Sequence, residues 1–140
     1  MWLQELCLAN FRAFATIALQ LSPRINLFIG ANGAGKTSLL EAVYLLSHAR
    51  SFRTPNRTFL TRQGERSVSI FGRLMHRQGH EQRIGLLGQT GRWQGYINGQ
   101  PSITLGELLR QCAVVCFEPG SHELIEGGNE CRRRFLDWGL

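Results

Sequence analysis

The sequence predicts an α/β fold that begins with antiparallel strands, and three observations support this prediction. The apolar residues Trp2, Leu3, Leu6 and Leu8 indicate a strand at 2–9, and apolar and polar residues alternate at 15–21, as they do in strands that bury one face. The short apolar run at 24–29 suits the centre of a sheet, and the segment after it is rich in glycine. At 36–48, apolar residues recur with the period of an amphipathic helix.

Three more strands are predicted further along the chain, at 68–74, 83–87 and 93–97. Directly after the last of them, the dipeptide Asn98-Gly99 is a strong hairpin signal because both residue types tolerate positive φ. The segment 50–66 is polar, rich in arginine and without periodicity. We therefore expect an extended surface loop there.

The remaining residues predict a return to helix and strand. Thr104 and Glu107 have the spacing of a capping box, which predicts a short helix that ends at Gln111. An apolar strand is expected at 112–117 and a last helix from near Asn129 to the end. Because no repeat, low-complexity tract or linker interrupts the pattern, we expect residues 1–140 to form one lobe.

The charge of the chain favours a polyanionic partner. Its net charge is +6 and its pI is near 9.9. Of the 16 basic residues, 15 are arginine and the single lysine is Lys36. Arginine richness can also follow from genome base composition, so the charge supports nucleic acid binding only weakly.

No apolar run approaches the roughly 20 residues that span a bilayer, and the N-terminus has no pattern of a secretory signal. We therefore expect a cytoplasmic protein with no membrane partner. The cysteines have no metal-cluster spacing, which favours reduced, partly buried thiols over a zinc site. They are Cys7, Cys112, Cys116 and Cys131.

The glycine-rich segment fits the phosphate-binding pattern G-x-x-x-x-G-K-S/T in full. Its glycines allow the backbone N–H groups to turn inward, where they can bind phosphate oxygens. Lys36 would add a full charge near the β- and γ-phosphates, and the Thr37 hydroxyl would bind Mg²⁺. A chance match in a glycine-rich turn is disfavoured by the strand and helix on either side. The predicted binding residues are Gly30, Ala31, Asn32, Gly33, Ala34, Gly35, Lys36, Thr37 and Ser38.

Three segments outside this loop resemble the SMC and RecF group of ABC-type ATPases. Asn10-Phe11-Arg12 closes the first strand, as an N-F-R segment does in that group, and 46–53 is similar to the segment that follows the helix in RecF proteins. The most specific match is the RecF-like signature at 119–137, from which Gly120 and Asn129 depart. The matching positions are Pro119, Leu124, Ile125, Gly127, Gly128, Arg132, Arg133, Phe135, Leu136 and Asp137.

This resemblance covers nearly the whole chain and implies a fold, ligands and partners. It implies a P-loop NTPase lobe of the ABC-ATPase type, with a mixed sheet and antiparallel strands, that binds ATP and Mg²⁺. It adds Arg12 as a nucleotide contact. It implies a role in DNA replication, DNA repair and the SOS response to DNA damage. The implied partners are single-stranded or gapped duplex DNA, a second copy in an ATP-dependent homodimer, and other recombination mediators.

The resemblance also implies that an ATPase of this group has further parts. The chain has no signature motif and no Walker B carboxylates, since Glu118 is a poor candidate and Asp137 is the only aspartate. We therefore expect 1–140 to be the N-terminal lobe of a longer head. Alone, it should bind ATP weakly and hydrolyse it negligibly.

Several alternatives remain open from the sequence. The chain could be a self-contained small P-loop enzyme such as a kinase, or a non-catalytic nucleotide-binding module. Segment 50–66, with Phe52 and Phe59 among its arginines, could bind DNA or be a solvated loop. On a helix, the arginines at 132–134 would spread over about 200° of surface, which favours a solvated face.

Overall fold

The computed structural model describes residues 1–117, and it confirms an α/β fold. The last predicted helix, the signature at 119–137, Glu118 and the arginines at 132–134 lie outside the described residues. The elements are β1 (Trp2–Phe11), β2 (Phe14–Gln20), α1 (Lys36–His48), a 3₁₀ helix (Arg57–Leu60), β3 (Ser67–Met75), β4 (Glu81–Gln89), β5 (Arg92–Ile97), β6 (Gln100–Pro101) and α2 (Gly106–Gln111).

Six strands form one sheet in the order β2-β1-β3-β4-β5-β6, and each pairing within 1–117 is antiparallel. The predicted hairpin turn is present, with φ of 51° at Asn98 and 82° at Gly99. No helix in this part of the chain is long and apolar enough to cross a bilayer.

The core lies between α1 and one face of the sheet. Along β3, buried and half-buried positions alternate, so that one face points toward the helix. Gly72 lets the helix approach closely, because a Cβ there would lie 2.7 Å from a methyl carbon of Leu46. Most buried apolar residues of this core come from the strands and α1. They are Leu6, Leu8, Phe11, Leu39, Ala42, Leu45, Leu46, Val68, Ile70, Leu74, Ile84 and Leu86.

The predicted strand at 24–29 is wrong for the described structure. This segment has no ladder partner there. Ile25, Leu27 and Ile29 face outward and are 83%, 78% and 85% exposed, whereas Phe28 packs against the core. An apolar run becomes a strand only when a neighbour satisfies its backbone groups. The run before the phosphate loop therefore stays outside the sheet within 1–117.

The predicted strand at 112–117 is also wrong. Its first residues bond to α1 instead of to a strand. The Ser47 hydroxyl donates to the Cys112 carbonyl at 2.5 Å and accepts from the Val114 amide at 3.2 Å. A buried helix side chain thus takes the place of a ladder partner.

The predicted capping box does not form as expected. Leu105 takes the N-cap position of α2, and the Thr104 side chain makes no cap hydrogen bond. The Glu107 carboxylate accepts instead from the Ile103 amide at 3.1 Å. The helix still ends at Gln111, as predicted.

Segment 50–66 is more ordered than an extended surface loop. It contains the 3₁₀ helix, and Leu60 at the end of that helix is completely buried. Its backbone bonds to the β1–β2 hairpin, because the Arg12 amide donates to the Leu60 carbonyl and the Arg62 amide donates to the Asn10 carbonyl. The hairpin therefore holds the arginine-rich segment against the core.

Candidate phosphate-binding site

The predicted binding loop lies at the start of α1 and has the curled backbone that its glycines predict. Gly33 and Gly35 have φ of 84° and 94°, a region that side chains rarely tolerate. The Ala34 amide donates to the Ala31 carbonyl at 3.2 Å, which closes a tight turn inside the loop. Residues 30–38 thus form one continuous curl that ends in the first turn of the helix.

Lys36 folds back across this curl. Its ammonium group donates to the carbonyls of Gly30 and Ala31, at 2.7 and 2.8 Å. Within 1–117, no carboxylate lies close enough to form an ion pair with it. The loop therefore carries a positive charge that only backbone dipoles offset.

The N-terminus of α1 is left without the usual stabilising groups. Gly35 is the N-cap and offers no side-chain acceptor, and the first turn has no acidic residue. Instead, a lysine occupies the first helical position, where the helix dipole disfavours a cation by about 0.3–1 kcal/mol. Free amides, a positive dipole end and an ammonium group together give this helix end an environment that favours an anion.

The two hydroxyl residues after Lys36 differ in access. Thr37 is exposed, whereas Ser38 is buried, with 8% of its surface accessible. A lone hydroxyl oxygen fits Mg²⁺, which usually keeps several waters and takes its other ligands from substrate phosphates. Of the two, Thr37 is the better placed to bind a metal ion beside a bound phosphate.

Arg12 lies beside α1, and its partner was not predicted. Its guanidinium makes two parallel hydrogen bonds to Glu41: Nε to Oε2 at 2.9 Å and Nη2 to Oε1 at 2.6 Å. Its Nη1 also donates to the Phe59 carbonyl at 2.9 Å. The β1–β2 turn, the phosphate-loop helix and the 3₁₀ helix meet at this one side chain.

Glu41 is completely buried and has two further partners. The Ser51 hydroxyl donates to it at 2.5 Å, and an Arg53 nitrogen lies 3.5 Å from its Oε2. The sequence contained a signal for this cluster. A glutamate on the apolar face of a predicted helix, between Leu39 and Leu45, requires charged partners because an unpaired buried carboxylate is too costly.

The sequence profile of the AAA ATPase domain family matches residues 1–84, more than half of the chain. The chain belongs to the AAA ATPase domain family. Its sequence is also similar to proteins named DNA replication and repair protein RecF, which confirms the resemblance inferred from the motifs. The match in Stenotrophomonas maltophilia is 45% identical over the whole chain and 40% of that protein, and the match in Xanthomonas euvesicatoria is 44% identical over 97% of the chain and 38% of that protein.

Solved structures agree with this family assignment. The structure of the recombination mediator protein RecF-ATP in the RecFOR pathway matches 97% of the chain with a TM-score of 0.87 at 32% identity. The corresponding RecF-ATPrS structure matches 98% with a TM-score of 0.89. The chain spans about two fifths of the length of these relatives.

Proposed function

We propose that the chain is the ATP-binding lobe of a RecF-type recombination mediator that acts in DNA replication and repair. The observation that carries the proposal is the combination at the start of α1. An uncapped helix end, a lysine at its first position and a curled glycine loop are unfavourable together unless an anion binds there. The proposed ligand is Mg²⁺-ATP.

In this proposal the loop binds the phosphates and Thr37 binds Mg²⁺. Backbone amides of 30–38 surround the phosphate oxygens, and Lys36 exchanges its two carbonyl partners for the β- and γ-phosphates. Mg²⁺, when bound, neutralises phosphate charge. The solved relatives named with ATP and ATPrS support ATP as the nucleotide.

We further propose that ATP acts as a switch in the complete protein. Two ATP-loaded heads would form a homodimer that binds single-stranded or gapped duplex DNA in the cytoplasm, together with other recombination mediators. Three observations support this proposal. The structural relative is named as part of the RecFOR pathway, the sequence relatives are named as DNA replication and repair proteins, and the net charge of this chain is +6.

The test is Mg²⁺-dependent ATP binding by the wild type and by Lys36→Ala, followed by calorimetry or with a fluorescent ATP analogue. Lys36→Ala should lose measurable binding while keeping its helical circular dichroism. Arg77→Ala is the matched control, since it removes one exposed cation from the β3–β4 turn.

Wild-type affinity in Lys36→Ala would overturn the proposal. Phosphate release should also be measured for the 140-residue chain. Sustained turnover would favour the rival reading, a self-contained small P-loop enzyme.

A further inference from the structure

Glu41 and Thr37 lie on the same side of α1, because positions four apart on a helix are neighbours separated by one turn of about 5.4 Å. Glu41 therefore holds the Arg12 guanidinium about one turn from the metal-binding hydroxyl proposed above. The bidentate bonds fix both the position and the plane of that guanidinium.

The charges of this cluster do not balance. Two guanidinium groups, Arg12 and Arg53, share the single carboxylate of Glu41. Arg12 is held closely and its side chain is 18% exposed, whereas Arg53 is held at 3.5 Å and is 44% exposed. Counting only the described residues, one positive charge is left over beside the helix that carries the phosphate loop.

The donor count points the same way. Arginine has five N–H donors, and Glu41 and the Phe59 carbonyl accept from three of them. Among the contacts within 1–117, two donors of Arg12 remain for another acceptor. They belong to a side chain that is already ordered, so that binding an anion would cost little further side-chain entropy.

The backbone at Arg12 is held in an unfavourable conformation. Its φ is 54° in the two-residue turn between β1 and β2. The left-handed region costs a residue with a side chain roughly 1–2 kcal/mol. The bonds to Glu41, Phe59 and Leu60 maintain it, and such maintained strain is found at functional sites.

We propose that Glu41 is a positioning residue for nucleotide binding: it orders the Arg12 guanidinium so that the remaining N–H donors of Arg12 bind the anionic nucleotide held at the phosphate loop. This inference rests on the proposed function. It assigns Glu41 no contact with the nucleotide. The effect of Glu41 on affinity passes through Arg12.

The experiment is a double-mutant cycle on Mg²⁺-ATP affinity, with Glu41→Gln, Arg12→Ala and the double variant. Glu41→Gln keeps the size of the side chain but removes the charge that pairs with Arg12. We expect each single change to weaken binding by about five- to tenfold, and the double change to weaken it no further than one of them. Ser47→Ala, which alters another buried polar residue of α1, should leave affinity unchanged.

The cycle separates this inference from the proposed function. If Lys36→Ala abolishes binding but Glu41→Gln binds as well as wild type, the positioning role is overturned and the nucleotide site stands. The positioning role would also be overturned if the two changes weakened ATP binding independently, so that their effects multiply. The same holds if Arg12→Ala bound ATP as tightly as the wild type. If Lys36→Ala binds normally, the nucleotide site itself fails.

A second variant is needed because Glu41 is buried and Glu41→Gln could unfold. Arg12→Lys keeps the positive charge but cannot make two parallel bonds to one carboxylate. Affinity should drop at least threefold in a variant that remains folded by circular dichroism. Wild-type affinity in a folded Arg12→Lys would contradict the proposal.

Discussion

The aromatic ring of Phe14 covers Gly35 at the start of α1, so closely that a Cβ at position 35 would lie 2.5 Å from the Cζ of the ring. The first residue of β2 therefore packs directly against the N-cap residue of α1. Because the φ of Gly35 is also 94°, both the space and the backbone conformation at this position require glycine.

Gly35→Ala should distort the phosphate loop. We expect the melting temperature to fall, because left-handed strain of roughly 1–2 kcal/mol adds to the clash with Phe14, and we expect ATP affinity to fall with it. Gly30→Ala is the milder control, since its Cβ would lie 3.3 Å from the Cβ of Ala34 and its φ is not positive. Equal melting temperatures for the two variants would contradict this account.

Gly72→Ala should destabilise the contact between helix and sheet. The added methyl group would meet Leu46 at 2.7 Å and Leu3 at 3.0 Å, and overpacking of this kind costs about 1–3 kcal/mol. Gly85→Ala, on the neighbouring strand, is the matched control because its Cβ would have its first neighbour at an ordinary 3.5 Å. In urea denaturation, the midpoint should be lower for Gly72→Ala but not for Gly85→Ala. Similar midpoints for the two variants would contradict the close approach of α1 to Gly72.

His48 should make the folded state sensitive to mild acid. Burial lowers the pKa of His48 below 6.5, against a smaller upward effect of its hydrogen bond to the Tyr44 backbone. The unfolded chain therefore takes up this proton first, and stability falls as the pH drops from about 6.5 toward the folded-state pKa.

His48→Phe tests this pH dependence because it keeps a ring to stack on Tyr44, which lies parallel at 3.9 Å. Melting temperatures at about pH 7.5 and about pH 5.5 should differ less in this variant than in the wild type. His80→Gln, at an exposed turn, should behave as the wild type does. An unchanged difference in His48→Phe would exclude His48 as the source.

Arg62 is the best probe of DNA binding by segment 50–66. It is exposed, whereas Arg57 bonds to the Ala49 carbonyl at 2.9 Å and lies 5.7 Å from the Trp93 ring, and Arg53 pairs with Glu41. If the segment binds DNA phosphates, Arg62→Glu should weaken binding and reduce the slope of log affinity against log salt by about one.

The control for this measurement is Arg77→Glu, which makes the same charge change on the β3–β4 turn. Arg57→Glu should weaken DNA binding and also lower the melting temperature, because it breaks the bond to Ala49. Unaltered DNA affinity in both Arg62→Glu and Arg57→Glu would favour the solvated-loop reading.

Periodicity in the sequence predicted the elements whose partners lie nearby. β3, whose residues alternate clearly, was correct to within one residue, and β1 was correct to within two. α1 matched at both ends because its apolar face and its glycine N-cap agree. The prediction for 24–29 failed because a short apolar run states only that a strand could form. Pairing depends on a neighbour that local sequence does not specify.

The candidate site could be predicted only in part. The loop pattern fixed the curl and the position of Lys36, since glycine spacing and the start of a helix are local properties. The pairing of Arg12 with Glu41 joins residues 29 positions apart. No local pattern contains that contact, although the buried charge on α1 showed that a partner was needed.

The sheet order has a consequence for how the chain folds. Within the described residues, four of the five strand pairings are hairpins between consecutive strands, and such hairpins close in about 1–10 μs. The fifth, between β1 and β3, joins Ala9 to Ser69 across 60 positions, and this interval contains the whole phosphate loop and α1. The slow closure of that long interval should therefore limit the folding rate. The candidate phosphate-binding site should be assembled only when that closure is complete.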